Sequence, residues 1–177
     1  MHASAIVIRP ATAADIPAIT AIYRPAVAEG TASFELDPPD EPEMRLRFET
    51  ITAAGYPYLV ATRHAAVTGY AYATAYRTRP AYRFSVENSV YVHPDEQRGG
   101  VGRSLLQALI DAATERGFRQ MIAVIGDSRH VGSMALHRTL GFTFIGTIHA
   151  VGYKHGRWLD SVLMQRALGP GESTPPV

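Results

Sequence analysis

The stretch that decides the reading is Val90-Tyr91-Val92-His93-Pro94-Asp95-Glu96-Gln97-Arg98-Gly99-Gly100-Val101-Gly102-Arg103. An apolar strand closes at His93-Pro94, a loop rich in glycine follows, and a long amphipathic helix opens near Arg103. Glycine carries no Cβ, so backbone N–H groups in such a loop can approach a ligand closely. The start of the helix adds unpaired donors and a partial positive charge. Together they make an anion site suited to a pyrophosphate. Its candidate contacts are Gln97, Arg98, Gly99, Gly100, Val101, Gly102 and Arg103, while backbone N–H groups of Val90, Tyr91 and Val92 could hold a carbonyl of the same ligand.

Two familiar phosphate loops fail here. The Walker pattern needs Gly-Lys-Ser/Thr after the loop; Gly102-Arg103-Ser104 lacks the lysine and its glycines are wrongly spaced. The Rossmann fingerprint needs a third glycine where Leu105 stands. What fits is Gln-x-x-Gly-x-Gly at Gln97, Gly100 and Gly102. An ordinary glycine-rich strand-to-helix turn is the bland alternative, and the flanking strand and helix weigh against it.

Working outward, the chain has 177 residues, of which 46% are hydrophobic, enough for one α/β domain with a sizeable core. Seventeen Lys+Arg balance 16 Asp+Glu, so no basic stripe points to nucleic acid and any attraction for an anion is local. The absence of cysteine removes disulfides, thiolate catalysis and Cys-based zinc sites. No run of apolar residues reaches membrane-spanning length. Met1-His2-Ala3-Ser4-Ala5 has neither the basic region nor the apolar run of a signal peptide, so a cytoplasmic protein is expected.

The pattern predicts a strand over 5–9 and an amphipathic helix over 13–28, with Thr12 as N-cap, Asp15 in its first turn and Pro25 kinking or ending it. Leu36 to Pro42 reads as a loop, followed by a helix over 43–54. Strands are expected at 58–62 and 67–76 around a turn at His64-Ala65-Ala66, then at 86–92 after an arginine-rich loop. A helix over 103–116 ends at Gly117, a strand covers 121–125, and a short helix runs from Ser133 to Leu140. Strands at 142–151 and 158–164 complete a single domain over 1–168, and 169–177 is expected to be a disordered tail.

The Gln97–Gly102 pattern resembles the acetyl-CoA pyrophosphate loop of GNAT acetyltransferases. Ala135-Leu136-His137 with Gly141-Phe142 is similar to their Ala-Leu-Tyr-x-x-x-Gly-Phe segment, with His137 in place of a tyrosine that often protonates the departing thiolate. Thr31-Ala32-Ser33-Phe34-Glu35, Val86–Val92, Val124-Ile125-Gly126 and Gly152-Tyr153-Lys154-His155-Gly156-Arg157-Trp158 narrow the resemblance to phosphinothricin N-acetyltransferases and methionine sulfoximine acetyltransferases, over Ile6 to Arg166. The resemblance implies an α/β (α+β) GNAT fold: a central mixed, mostly antiparallel sheet of about seven strands flanked by helices. The fourth and fifth strands would splay around the pantetheine arm. It also implies acetyl-CoA as co-substrate, a small amino-acid-like acceptor and a homodimer. His130 stands where members often carry an asparagine that bonds the pantetheine, and Ser133 opens the adjacent helix.

Individual residues have two readings each. Glu87 in an apolar strand is either a solvated edge acid or a general base, since an amine must lose a proton before attacking an acetyl carbonyl. The resemblance assigns it the second role. Arg77, Arg79 and Tyr82 form either a solvated loop or a fork for an acceptor carboxylate. Phe34 is an apolar wall or a core residue. His137 is an acid, a hydrogen-bonding partner or a packed helix residue. Lys154 and His155 fall on a turn, and His2, His64, His93 and His149 lack ligand spacing, so no metal is expected. Two rival functions remain: a GNAT enzyme acting on protein N-termini or lysines, and a non-catalytic CoA-binding module that need not keep Glu87.

Overall fold

One mixed sheet of seven strands runs in the order β1-β2-β3-β4-β5-β7-β6 through the computed structural model. Residues 5–176 are described, so the reading of Met1 to Ser4 lies outside them. The strands are β1 (Val7–Pro10), β2 (Tyr58–Arg63), β3 (Ala66–Ala75), β4 (Ser85–Val92), β5 (Gln120–Gly126), β6 (Thr143–Lys154) and β7 (Arg157–Ala167). The helices are α1 (Ile16–Ala28), α2 (Glu41–Ala53), α3 (Val101–Glu115) and α4 (Val131–Thr139). Every strand pair is antiparallel except β4 with β5, whose connection through α3 is the crossover that parallel strands require.

The sheet separates two cores. Ile16, Ile19, Ile22, Tyr23 and Val27 recur at helical spacing and lay α1 against one face, where Met44 and Phe48 of α2 join Tyr58, Val60 and Tyr70. On the other face α3 buries Val101, Leu105, Leu106, Leu109, Ile110 and Ala113 against Ala61, Ala71, Ala73, Val86 and Met121. Along β4 the side chains alternate, so Val86 joins the α3 core while Tyr91 packs against the α1–α2 side.

The sequence elements reappear with shifted ends. His64 and Ala65 both take positive φ (50° and 64°), the twist of a two-residue hairpin turn between β2 and β3. Pro25 does not end α1, which runs on to Ala28; it sits in the last turn, where few helical hydrogen bonds remain to be lost. Pro42 belongs to the first turn of α2 rather than to the preceding loop, because its missing N–H needs no partner there and Asp40 caps the helix through Glu43 N at 2.9 Å. Thr12 opens a short 3₁₀ turn before α1, and Asp15 accepts from Thr12 N at 2.8 Å and from Arg9. The segment after β7 runs as turns, with the Arg119 guanidinium donating to the carbonyls of Gly171 and Pro175. No helix among the described residues is long and apolar enough to cross a membrane.

The feature that positions the site is where β4 and β5 part. Their ladder pairs Ser85 with Gln120 through Asn88 with Ala123 and then stops. β3 continues beside β4 to Val92, and β7 beside β5 to Gly126. Ser89–Val92 and Val124–Gly126 therefore face each other across a wedge, with no strand partner on that side.

Candidate active site

A cavity of about 620 Å³ fills the wedge and runs to the start of α3. Val90, Tyr91 and Val92 line one wall, Val124, Ile125 and Gly126 the other, and Gln97, Arg98, Gly100, Gly102 and Arg103 close one end. Arg98 and Gly100 hold positive φ (62° and 85°), curling the loop so that it delivers the N-terminus of α3 to the cavity. A Cβ on Gly102 would meet only Leu136 and Val92 side chains at 3.4 and 3.5 Å. The fold therefore tolerates that position, and its open side belongs to the cavity. Two of the expected contacts stand back from it. Val101 is buried under the loop, and Gly99 offers its carbonyl to Arg63 at 3.3 Å. Arg63 also donates to Glu96 at 2.6 Å, so the last residue of β2 ties down the whole loop. A lone arginine at a strand end gave no sequence signal for that task.

His130, Ser133 and His137 reach the same cavity from the α4 side. Thr31 donates its only hydroxyl hydrogen to Asp127 at 2.8 Å, so it accepts from Nε2 of His130 at 3.0 Å. That fixes the His130 hydrogen on Nε2 and leaves Nδ1 as an acceptor.

His137 is buried. Its Nδ1 lies 2.8 Å from the carbonyl of Ser133, one turn earlier in α4, and its Nε2 lies 3.1 Å from the Asn88 amide nitrogen. This pairing makes Nδ1–H the donor to Ser133 and Nε2 the acceptor from Asn88. Burial lowers its pKa from the usual imidazole value, although the Ser133 hydrogen bond opposes the shift. Both the shift and the pairing favour the neutral ring. Asn88 escaped the sequence reading, although a polar residue one position after Glu87 necessarily faces the α3 side of the sheet.

On the α1–α2 side of β4 lies a second cavity of about 410 Å³, under α2. Tyr58, Tyr70 and Tyr72 floor it as a stack, with ring centroids 5.0 Å apart for Tyr58 and Tyr72 and 6.2 Å for Tyr70 and Tyr72. Glu87 and Ser89 enter it from β4, and Arg47 from α2. Ser89 lines both cavities, so they meet at this strand. Burial pushes the Glu87 carboxyl above the usual carboxylate range, while the Arg77 charge pulls the other way. Glu87 is thus a half-buried acid with raised proton affinity, next to the wedge.

The segment 31–35 straps the two cavities together. Phe34 lies between Gly126 of β5 and Gly152 of β6, where added Cβ atoms would come within 2.9 and 2.4 Å of its ring. Lys154 donates from Nζ to the carbonyl of Ser33 at 2.9 Å, and Tyr23 pairs with Ser33 at 2.9 Å. Phe34 is therefore a wedge that seats the strap, and Lys154 is a buried anchor rather than a turn residue. His155, by contrast, does fall in the two-residue turn between β6 and β7, with φ of 50°. Asp127 binds Thr31, Arg129 N and the Arg157 guanidinium, and these partners hold its carboxyl down at about 2 despite burial.

Arg77, Arg79 and Tyr82 are exposed and lie outside both cavity walls. Arg77 stacks over the Tyr76 ring at 4.4 Å, and Tyr82 meets the same ring edge-on at 5.9 Å. Of the three, Arg77 is the one whose charge is felt at Glu87. No group of three or more potential metal ligands occurs among the described residues.

A sheet that opens between its two parallel strands, with a helix start directed into the opening, is the architecture of the GNAT acetyltransferases. The acetyltransferase (GNAT) domain model matches residues 8–163, and the chain belongs to this family: it is an acetyl-CoA-dependent N-acetyltransferase. It is 53% identical to a phosphinothricin N-acetyltransferase of Alcaligenes faecalis, over 92% of this chain and 82% of that one. It is 44% identical to an L-methionine sulfoximine/L-methionine sulfone acetyltransferase of Pseudomonas aeruginosa, over 95% and 98%. A GNAT superfamily phosphinothricin acetyltransferase from Sinorhizobium meliloti, solved in complex with AcCoA, superposes with a TM-score of 0.94 at 53% identity, over 97% and 93% of the two chains.

Proposed function

We propose that the enzyme transfers the acetyl group of acetyl-CoA to the α-amino group of a small amino acid with a tetrahedral phosphorus or sulfur group in its side chain. Phosphinothricin, methionine sulfoximine and methionine sulfone are such acceptors. The observation that carries this reading is the placement of Glu87. Its carboxylate, with raised proton affinity, lies in a pocket that meets the acetyl-CoA wedge at Ser89.

In this reading the pyrophosphate rests on the Gln97–Arg103 loop and the pantetheine lies between β4 and β5. The unpaired β4 backbone beyond Asn88 offers N–H groups to the thioester carbonyl. Glu87 takes a proton from the ammonium of the acceptor, directly or through water. The free amine attacks the carbonyl carbon and a tetrahedral oxyanion forms; as it collapses the C–S bond breaks, and the proton shed by the new amide nitrogen goes to the departing thiolate. With no cysteine in the chain, the commonest acyl-carrying nucleophile is missing, which favours this direct route. His137 enters as a neutral hydrogen-bond partner that orients Asn88 at the apex of the wedge; its burial supports this over a resident acid. The α-carboxylate, on the same carbon as the amine, meets Arg77 outside the pocket mouth, and the charge of Arg77 at Glu87 supports that placement.

A homodimer in the cytoplasm completes the reading. Phe144, Ile145, Ile148 and Val151 of β6, with Trp158 of β7, stand 46–65% exposed on one edge of the sheet, a surface that a second copy would cover. The test is an assay of CoA release with phosphinothricin, methionine sulfoximine, methionine sulfone and a lysine peptide. Turnover of the three amino acids is expected. Turnover of the peptide alone would overturn the reading.

A further inference from the structure

We infer that Arg47 is the specificity-determining residue of the acceptor pocket, binding an anionic group at the far end of the acceptor side chain and so favouring phosphinate-type over neutral sulfone-type acceptors. This rests on the acceptor class proposed above. Among the described residues that line the pocket, Arg47 is the one cation, and it shares that pocket with Glu87. The reacting amine must stand near Glu87, and the α-carboxylate on the same carbon stays with it. A side-chain terminus several atoms away has to go elsewhere, and α2 overhangs the pocket with Arg47 on its inner side.

The hydrogen-bond inventory of Arg47 shows what it is prepared to hold. Its Nε donates to Glu43 at 2.8 Å, and Nη1 and Nη2 donate to the two oxygens of Glu35 at 2.6 and 3.3 Å. A guanidinium has five N–H groups, so one on each terminal nitrogen is left. Glu43, one turn earlier on α2, fixes the fork from behind. Glu35 belongs to the strap rather than to a helix or strand, and both it and Arg47 are more than a third exposed, so their pair is weak and exchangeable. The carboxylate of Glu35 occupies the bidentate position that a two-oxygen anion from the acceptor would take. Glu35 also accepts from the Tyr23 hydroxyl at 3.0 Å, which gives it somewhere to rest when displaced.

Phosphinothricin and methionine sulfone make the comparison clean. Both carry an α-amino group, an α-carboxylate and a tetrahedral centre with two oxygens, but only the phosphinate is charged. Arg47→Gln should raise the KM for phosphinothricin by about 10- to 100-fold, the worth of a charge-assisted hydrogen bond, and that for methionine sulfone at least tenfold less. kcat should follow neither change, because the contact is remote from the reacting atoms. Arg47→Lys should recover part of the loss. Glu35→Gln frees the fork and should lower the KM for phosphinothricin by about 2- to 5-fold without helping the sulfone. Equal losses on both acceptors, or a rise in the phosphinothricin KM in Glu35→Gln, would overturn the inference while leaving the acceptor class intact. Failure of the unaltered enzyme to acetylate either compound would remove the acceptor class itself, and this inference with it.

Discussion

The two cavities that meet at β4 are built by opposite strategies. The wedge is framed by main chain: a left-handed loop, the start of α3, and strand edges left bare where β4 and β5 part. The cavity under α2 is lined by side chains delivered by separate segments: Glu87 from β4, Arg47 from α2, and tyrosines from β2 and β3. A backbone site suits the groups that every acetyl-CoA carries. A side-chain site can change its acceptor through single substitutions and leave the cofactor untouched. In the proposed reading, variants in the two cavities should therefore have separable kinetic signatures.

The largest separation is expected at Glu87. Glu87→Gln keeps size and hydrogen-bonding reach but loses proton affinity, so kcat should fall about 10²- to 10⁴-fold. Acetyl-CoA affinity, read by calorimetry, should stay put, and the residual rate should climb at high pH as free amine accumulates. A normal kcat at pH 7 would take Glu87 out of the chemistry. In the wedge, Gly102→Val points a branched side chain toward the cavity. The KM for acetyl-CoA should rise by about tenfold or more, at least about 1.4 kcal/mol, with the acceptor KM nearly constant. Unimpaired CoA binding would break the assignment of the loop.

Smaller effects sharpen the division. Asp127→Asn leaves Arg157 and Thr31 without their carboxylate, at an expected loss of about 2 kcal/mol, or roughly 4–8 °C in Tm by calorimetry. The sign of its pH dependence follows from a native pKa of about 2 against an ordinary 3.8. The stabilisation is complete above about pH 4 and is lost as pH falls toward 2, so the variant should show a flatter acid limb. The smallest change belongs to Arg77→Ala. Losing an exposed cation should raise the acceptor KM by about 2- to 5-fold for every acceptor alike. Because Arg77 opposes the raised pKa of Glu87, its removal should also move the acid limb of kcat/KM to higher pH. An acid limb that stays in place would show that the two groups do not interact.

The same division explains what could be read from the sequence. The loop that closes the wedge is legible because Gln97, Gly100 and Gly102 lie within six residues and their spacing reports backbone geometry directly. The long periodic segments were legible for a similar reason: Leu105, Leu106, Leu109 and Ile110 mark the buried face of α3 without any tertiary information. The sequence pattern sets helix starts late wherever a proline or glycine resembles a breaker, as at Pro42, which lies in the first turn of α2. Arg47, Asn88 and Arg63 were missed because each acts on a segment distant in the chain: Arg47 on Glu35, Asn88 on His137, Arg63 on Glu96 and Gly99. The arginine-rich loop drew attention by composition alone, yet Arg79 and Tyr82 stand clear of both cavities. His137 was identified by its place in the chain, but only its burial and the Asn88 contact reveal a neutral ring.

In the proposed reading acetyl-CoA and acceptor occupy the two cavities at the same time and react directly where these meet, at Ser89 of β4. Initial rates with acetyl-CoA and phosphinothricin varied against each other test this most directly. The account predicts intersecting double-reciprocal lines, the signature of a ternary complex, with N-acetylphosphinothricin as product. Parallel lines, the signature of an acetyl-enzyme that forms before the acceptor binds, would contradict it.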